Sequence, residues 1–394
     1  MGNGRCFCDQ NPKRTKSITL KMQKNIQSQY TMIDLLVGLN PNNQLYELNA
    51  LLQCLCHIEP LVNYFKYKFK EIKKINSYKK SKNNGLCLAE CFKNIIDDLW
   101  PDINIKNKSE IITHYNTKSS KEFLDMIYKI NPNYNENQEY LIKFLQTRLH
   151  EELNRVENKN NNYINNINND LRDKKKSFNN YLNNFKENNK SKISDIFYGT
   201  YYSYSQFSCG HQEYNFQSYT FGFYSFQQVL QNKILTYQSG QNPLYINRIF
   251  NANEINIYDC LFYDSQIKSG YKLCEICNVE QQCSNKNIIY SAPKILCFVF
   301  NKNENVPMMN FNIENNINIY QFSEIKSMIN YGLIGIIVYF YPNRYVAFCK
   351  NPVNMLWYSY ENDKVEKMFT IEEILNKRLI PYMLFYQHKE ITQN

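Results

Sequence analysis

The chain has 394 residues, 43% of them hydrophobic, with 33 Tyr and 24 Phe, which is enough apolar side chain for a large core and favours sheet. Its net charge of +10 is spread along the chain, which excludes a dedicated basic arm and leaves acidic partners in general: an acidic protein face, an anionic membrane, or nucleic acid without sequence specificity. Thirteen cysteines, an odd number with no apolar signal core ahead of them, read as reduced thiols and metal ligands of a cytoplasmic protein, not as a disulfide framework.

The first residues, MGNGRCFC, put Gly2 directly after Met1, with Cys6 and Cys8 close behind and Lys13, Arg14 and Lys16 following. N-myristoylation uses such a glycine, usually with Ser or Thr at position six, where this chain has Cys6. A single acyl chain binds membranes only marginally, so palmitate on Cys6 or Cys8 and the basic residues would supply the second signal. The alternative is a tail of no consequence. From about Asp34 the globular part begins, and Leu48, Leu51, Leu52 and Leu55 recur at the spacing of a helix that starts just after Tyr46. Residues 119–154 also read as helical. The Asn-rich stretch 154–189 has little apolar periodicity and reads as a low-complexity loop. Ile257 to Tyr263 predicts a short helix. Cys274 and Cys277 form a C-x-x-C, whose tight turn can present two thiolates to one metal. Alternating Tyr, Phe and Ile patterns then predict strands to the end of the chain. The longest apolar run, 333–341, is too short to span a bilayer. Helices in the first half and strands in the second give an α+β class.

Residues 38–55, GLNPNNQLYELNALLQCL, resemble without a gap the cysteine box of the ubiquitin-specific proteases, GLxNLGNTCYMNSxLQxL. Gly38 and Leu39 match its front, and Leu48, Asn49, Leu52, Gln53 and Leu55 its back. The nucleophile's position holds Tyr46, and the oxyanion-hole Asn corresponds to Pro41, which has neither an amide side chain nor a backbone N–H. LHEELN, residues 149–154, resembles the end of the family's QQDAxEFLxxLLDxLHEEL motif. Its acidic residue, which helps hold the ubiquitin tail, corresponds to Asn137, and the Gln pair before it to Asn135 and Glu136. Residues 195–214 are similar to the first half of the family's zinc fingers, with Cys209, Gly210 and His211 matched and Gln206 at the first ligand position. Residues 331–352 are similar to the histidine box, with the base at Arg344. WYSYENDKV, 357–365, comes next with the orienting residue at Glu361, and PYMLFYQ, 381–387, is similar to the closing strand.

The resemblance covers about residues 34–388 and implies the papain-like fold of that family, with thumb, fingers and palm. It divides the chain into an acylated or idle tail (1–33), a thumb (34–153), an Asn-rich insertion (154–190), fingers with adjoining palm and a second insertion at 221–256 (191–300), a palm (301–388) and a short end (389–394). Every triad position is changed, so it also implies a pseudoenzyme: an interaction or structural subunit, a ubiquitin-binding reader, or a hydrolase of unconventional chemistry. A phenol offers no thiolate, and an arginine cannot act as a base near neutral pH. Cys54 and His57, three apart on one helix, are the alternative dyad to check. Cys209, Cys274, Cys277 and His211 are the candidate zinc ligands. Protein partners, ubiquitin among them, are expected, with membrane or cytoskeletal association as options beside a free cytoplasmic location.

Overall fold

The first half of the chain is helical because its apolar residues return at helical spacing. The computed structural model describes residues 38–40, 46–69, 87–100, 117–132, 134, 141–156, 173–246, 249–301, 309–368, 370–377 and 379–390. Strand β1 (Gly38–Asn40) precedes helix α1 (Tyr46–Leu55), which is buried from Glu47 to Leu55. Helix α2 (Glu59–Asn63) carries Pro60 in its first turn, where a missing N–H costs little, and runs on into a π-helical turn, Tyr64–Lys68. Helix α3 (Leu88–Leu99), strand β2 (Thr117–Ser119, parallel to β1), helix α4 (Lys121–Ile130) and helix α5 (Leu141–Leu153) complete this body. Phe92 ties it together, its ring 4.9 Å from Phe65 and 6.2 Å from Phe123.

Helices α6 (Lys174–Asn188) and α7 (Lys192–Phe197) lead to β3 (Gly199–Phe207) and β4 (Gln212–Tyr219). After β5 (Gly222–Tyr224), α8 (Phe226–Gln238), β6 (Glu254–Asn256) and α9 (Ile257–Asp264), the chain returns as β7 (Lys268–Cys274) and β8 (Val279–Ser291). These give an antiparallel four-stranded sheet in the order β4-β3-β8-β7. The remaining strands are β9 (Ile295–Phe300), β10 (Asn310–Asn312), β11 (Asn316–Asn318), β12 (Asn330–Phe340), β13 (Arg344–Lys350), β14 (Trp357–Glu361), β15 (Lys364–Met368) and β16 (Pro381–His388), with α10 (Ile371–Leu375) before the last. The larger sheet runs β15-β14-β13-β12-β16-β9-β5, with β11 also on β12.

This sheet is buried on both faces, and period-two alternation divides its side chains between two cores. Tyr345, Ala347 and Cys349 join the core of the helical body, while Val346 and Phe348 join the other. That is why β12, β13 and β16 read as near-continuous apolar runs. Helix α1 packs across β12, β13 and β14, so the helix that opens at Tyr46 lies on the strands that carry Arg344 and Glu361. The arrangement is the expected α+β fold of thumb, fingers and palm. No helix among the described residues is long and apolar enough to cross a membrane.

One expectation needs correction. Part of the Asn-rich stretch, read as a loop, is helix α6. Asp173 caps it by accepting from the Lys175 and Lys176 N–H groups. Phe178, Tyr181 and Phe185 share one face, and Phe178 lies 5.3 Å from Phe216 and 4.3 Å from Tyr290 of the finger sheet. Ser177 Oγ donates to the Tyr214 carbonyl at 2.6 Å. The helix exists because the sheet covers its aromatic stripe, not because asparagine favours helix.

Candidate functional site

Tyr46 opens α1 half-buried, and its hydroxyl makes no hydrogen bond among the described residues. Arg344, first in β13, donates Nε to Glu361 Oε1 and Nη2 to Glu361 Oε2, both at 2.6 Å. Its guanidinium also stands 5.0 Å from the Phe340 ring. This forked pairing holds the Glu361 carboxyl below its ordinary value and raises the guanidinium above its own. The pair is exposed, Arg344 by 56% and Glu361 by 32%, so its stabilising value is about 1 kcal/mol at most. Neither member is a competent base for a phenol: the arginine is already a cation, and the Arg344 pairing holds the Glu361 carboxyl below its ordinary value, so it binds a proton only weakly.

The framework residues of the box hold the two halves together. Asn49 Nδ2 donates to the Leu39 carbonyl and to Asn362 Oδ1, each at 3.3 Å, while Ser120 Oγ donates to Asn49 Oδ1 at 2.6 Å. The Leu39 N–H donates to the Asn362 carbonyl at 2.8 Å. Gly38 passes so close to the β14–β15 turn that a Cβ there would lie 2.5 Å from the Asp363 carbonyl oxygen, an approach only glycine permits.

A second connection, beside Tyr46, was not read from the sequence. Glu47 is 4% exposed; its carboxylate accepts from the Tyr382 hydroxyl at 2.7 Å and the Tyr345 hydroxyl at 3.1 Å. A glutamate as the one charged residue of α1 is the local sign of it, since its partners lie 298 and 335 residues away in the chain.

The Cys54–His57 dyad does not form. His57 Nδ1 donates to the Gln53 carbonyl at 2.7 Å, so its Nε2 accepts from the Tyr360 hydroxyl at 3.0 Å. Cys54 Sγ instead lies 3.6 Å from Cys349 Sγ. Burial pushes the His57 imidazole down to about 4, against an opposing effect of the Gln53 carbonyl. Gly2, Cys6, Cys8, Pro41, Asn135, Glu136 and Asn137 lie outside the described residues.

At the far end of the finger sheet, Cys209 and His211 sit in the β3–β4 turn, which Gly210 completes at a φ of +87°. Cys274 ends β7 and Cys277 follows in the turn to β8. Ligand atoms of all four lie within 4.8 Å of one another and could hold a metal ion. Cys209 Sγ is 3.7 Å from Cys274 Sγ, and the three sulfurs are 3.3, 3.5 and 3.4 Å from His211 Nδ1. A tetrahedral site with bonds of ~2.3 Å to sulfur and ~2.0 Å to nitrogen has edges of about 3.8 and 3.5 Å, so the donor set fits. The Cys274 thiol is drawn below its ordinary value, first by the Cys277 backbone N–H. Gln206 offers the cluster no ligand: its Oε1 accepts from Tyr204 and Gln212 and its Nε2 donates to the His211 carbonyl at 3.5 Å, so His211 takes the fourth corner.

The family model for ubiquitin carboxyl-terminal hydrolases matches residues 39–386. No curated protein matches the chain. Among solved structures, a chain of the SAGA DUB module Ubp8/Sgf11/Sus1/Sgf73 bound to monoubiquitin is 17% identical, with a TM-score of 0.59 over 96% of this chain and 76% of its own. The same module bound to ubiquitin aldehyde gives 16%, 0.58, 96% and 76%. A yeast SAGA DUB module with a mutant Sgf73 gives 16%, 0.60, 96% and 75%. At such identities the likeness is one of fold.

Proposed function

The chain belongs to the ubiquitin carboxyl-terminal hydrolase family, with the fold of a ubiquitin-specific protease, and we propose that it is a pseudo-deubiquitinase that acts by binding, as an interaction or structural subunit of a larger assembly. The Arg344–Glu361 pairing carries this reading. The family's base and orienting positions are spent on one another, and the nucleophile's position holds a tyrosine without a hydrogen-bonded base. Nucleophilic hydrolysis needs a nucleophile, a neutral proton acceptor and a partner to orient it. Loss of one member typically costs ~10⁴–10⁶ in rate, and here all three positions differ.

What is kept supports use of the folded shape. Gly38, Asn49 and Tyr358 make close or buried contacts, whereas drift without selection would erode such positions as readily as the site, because most core changes destabilise. The fold relatives belong to a module with several subunits, which also favours a subunit role. We assign zinc to the Cys209, His211, Cys274 and Cys277 cluster, as a closed four-coordinate site that braces the fingers. Acylation at Gly2, with Cys6 or Cys8 as second anchor, would add membrane contact to a cytoplasmic protein; mass analysis of the amino-terminal peptide tests it.

Incubation with ubiquitin chains and with a ubiquitin-propargyl probe should give neither cleavage nor adduct. An adduct mapping to Cys54 or Cys56 would revive the unconventional hydrolase. Ubiquitin binding at micromolar affinity or tighter would favour the reader over the structural subunit. Purification from native cells should bring down a stable partner, and failure to find one, with no ubiquitin binding, removes the proposal.

A further inference from the structure

Where the finger sheet meets the larger sheet there is a cavity of about 220 Å³, more than the ~150 Å³ that admits a benzene-sized guest. Its walls are largely aromatic, with Tyr201, Tyr219, Phe221, Phe223, Tyr224 and Phe298 among them. Tyr224 and Phe298 are each 2% exposed and form its floor, whereas Phe223, at 41%, stands at the solvent side.

Two polar groups in this wall are incompletely bonded. The Tyr219 hydroxyl is shut off from solvent and has no hydrogen-bond partner among the described residues. Asp264, last in α9, accepts the Tyr224 hydroxyl on Oδ2 at 2.6 Å, and no partner is found for Oδ1 among the described residues. Lys268, the cation whose field reaches Asp264, stands instead over the Tyr263 ring at 4.8 Å. Burial raises the Asp264 carboxyl above its ordinary value, with Tyr224 and Lys268 acting in the opposite sense.

Asp264 is half-buried, and a carboxylate partly withdrawn from water gains from a cation that completes it. Aromatic faces attract ammonium groups for a separate reason, their quadrupole. A neutral apolar guest would use the rings and leave the carboxylate as it is. An anion would be repelled by it. We propose that this cavity binds an alkylammonium group, carried by a small amine or by a lysine side chain. The aliphatic stem would lie along the rings, and an N–H would be available for the free Asp264 oxygen. This site is remote from Tyr46 in sequence and function, and it does not depend on whether the chain hydrolyses anything.

The test is a titration of the purified full chain with butylammonium chloride and, at matched ionic strength, with butanol as the neutral isostere, followed by calorimetry or ligand-observed NMR. Butylammonium should bind at least about tenfold more tightly than butanol. Asp264→Asn should abolish that margin and leave butanol binding unchanged. Phe223→Ala, at a partly exposed position that folding can spare, should weaken butylammonium more than butanol, and it keeps the test open if the first variant does not fold. Equal affinity for the two probes, a margin that survives Asp264→Asn, or no binding of butylammonium would overturn the proposal. Nα-acetyl-lysine methylamide and a lysine-bearing peptide distinguish the sources: tighter binding than butylammonium identifies a protein side chain, weaker binding a small amine.

Discussion

Glu47→Ala tests whether the helix that opens at Tyr46 works as a tie between body and sheet. The carboxylate accepts two hydroxyls, from Tyr345 and Tyr382, and each of these residues is 3% exposed. Its removal leaves each phenol without that acceptor, at about 1–3 kcal/mol apiece, and the lost methylenes add about 1 kcal/mol. The expected sum is about 3–7 kcal/mol, which at ~2 °C per kcal/mol for a domain of this size lowers Tm by about 6–14 °C. Urea unfolding of four proteins measures it: the native chain, Glu47→Ala, Tyr345→Phe/Tyr382→Phe, and all three changes together. With the hydroxyls gone, Glu47→Ala should cost at least about 2 kcal/mol less than in the native background. If its cost is the same in both backgrounds, the hydroxyl–carboxylate contacts contribute nothing and Glu47 is only filling space.

The geometry sets three further outcomes. Metal analysis should return about one zinc per chain, and chelation should release amide protection in β3, β4, β7 and β8 while the larger sheet stays protected; an unchanged exchange pattern would remove the brace. His57 should make stability fall on acidification: its folded pKa is about 4 and an unfolded one ~6.5, so the unfolded chain binds the extra proton between them. The loss, about 3 kcal/mol in full, should develop as pH drops from ~6.5 to ~4 and be absent from His57→Gln; identical pH profiles for the two would refute it. Phe178→Ala should raise amide exchange across Lys174–Asn188 without loosening β12 or β16, whereas unaltered exchange would mean that α6 does not rest on the finger sheet.

How much was legible in the sequence depended on whether the cause of a feature was local. The strands of the larger sheet were readable because burial on both faces leaves an unbroken apolar run, as in residues 333–338. The body's first helix was readable from Leu48, Leu51, Leu52 and Leu55. Helix α6 was not, because asparagines surround Phe178, Tyr181 and Phe185 and hide a spacing that matters only once the finger sheet lies beneath it. The metal cluster was legible as a set of residues, since Cys209 and His211 flank one glycine and Cys274 and Cys277 form a tight turn. Glu47 and Asp264 were missed for a common reason: the partners that make each carboxyl important are brought to it by the fold alone.

The residues around Tyr46, Arg344 and Glu361 have not simply gone slack. A working hydrolase needs groups held ready but unsatisfied, because a nucleophile and a base that bond fully to their neighbours cannot react, and such groups cost stability. In this chain the polar groups at the base and orienting positions and beside Tyr46 are bonded to each other or to the opposite half of the fold. Glu47 ties α1 to β13 and β16 through two hydroxyls, Arg344 and Glu361 close on one another, and Asn362 receives both Leu39 and Asn49. On the proposed reading, release from catalysis would allow that change of partners, and a body fixed to its sheet would suit a protein that serves as a surface. The Glu47 cycle therefore bears on function as well as stability. If those contacts prove empty, the case for a stiffened scaffold loses its best-measured support, and the cleft would have to be regarded as still adjustable.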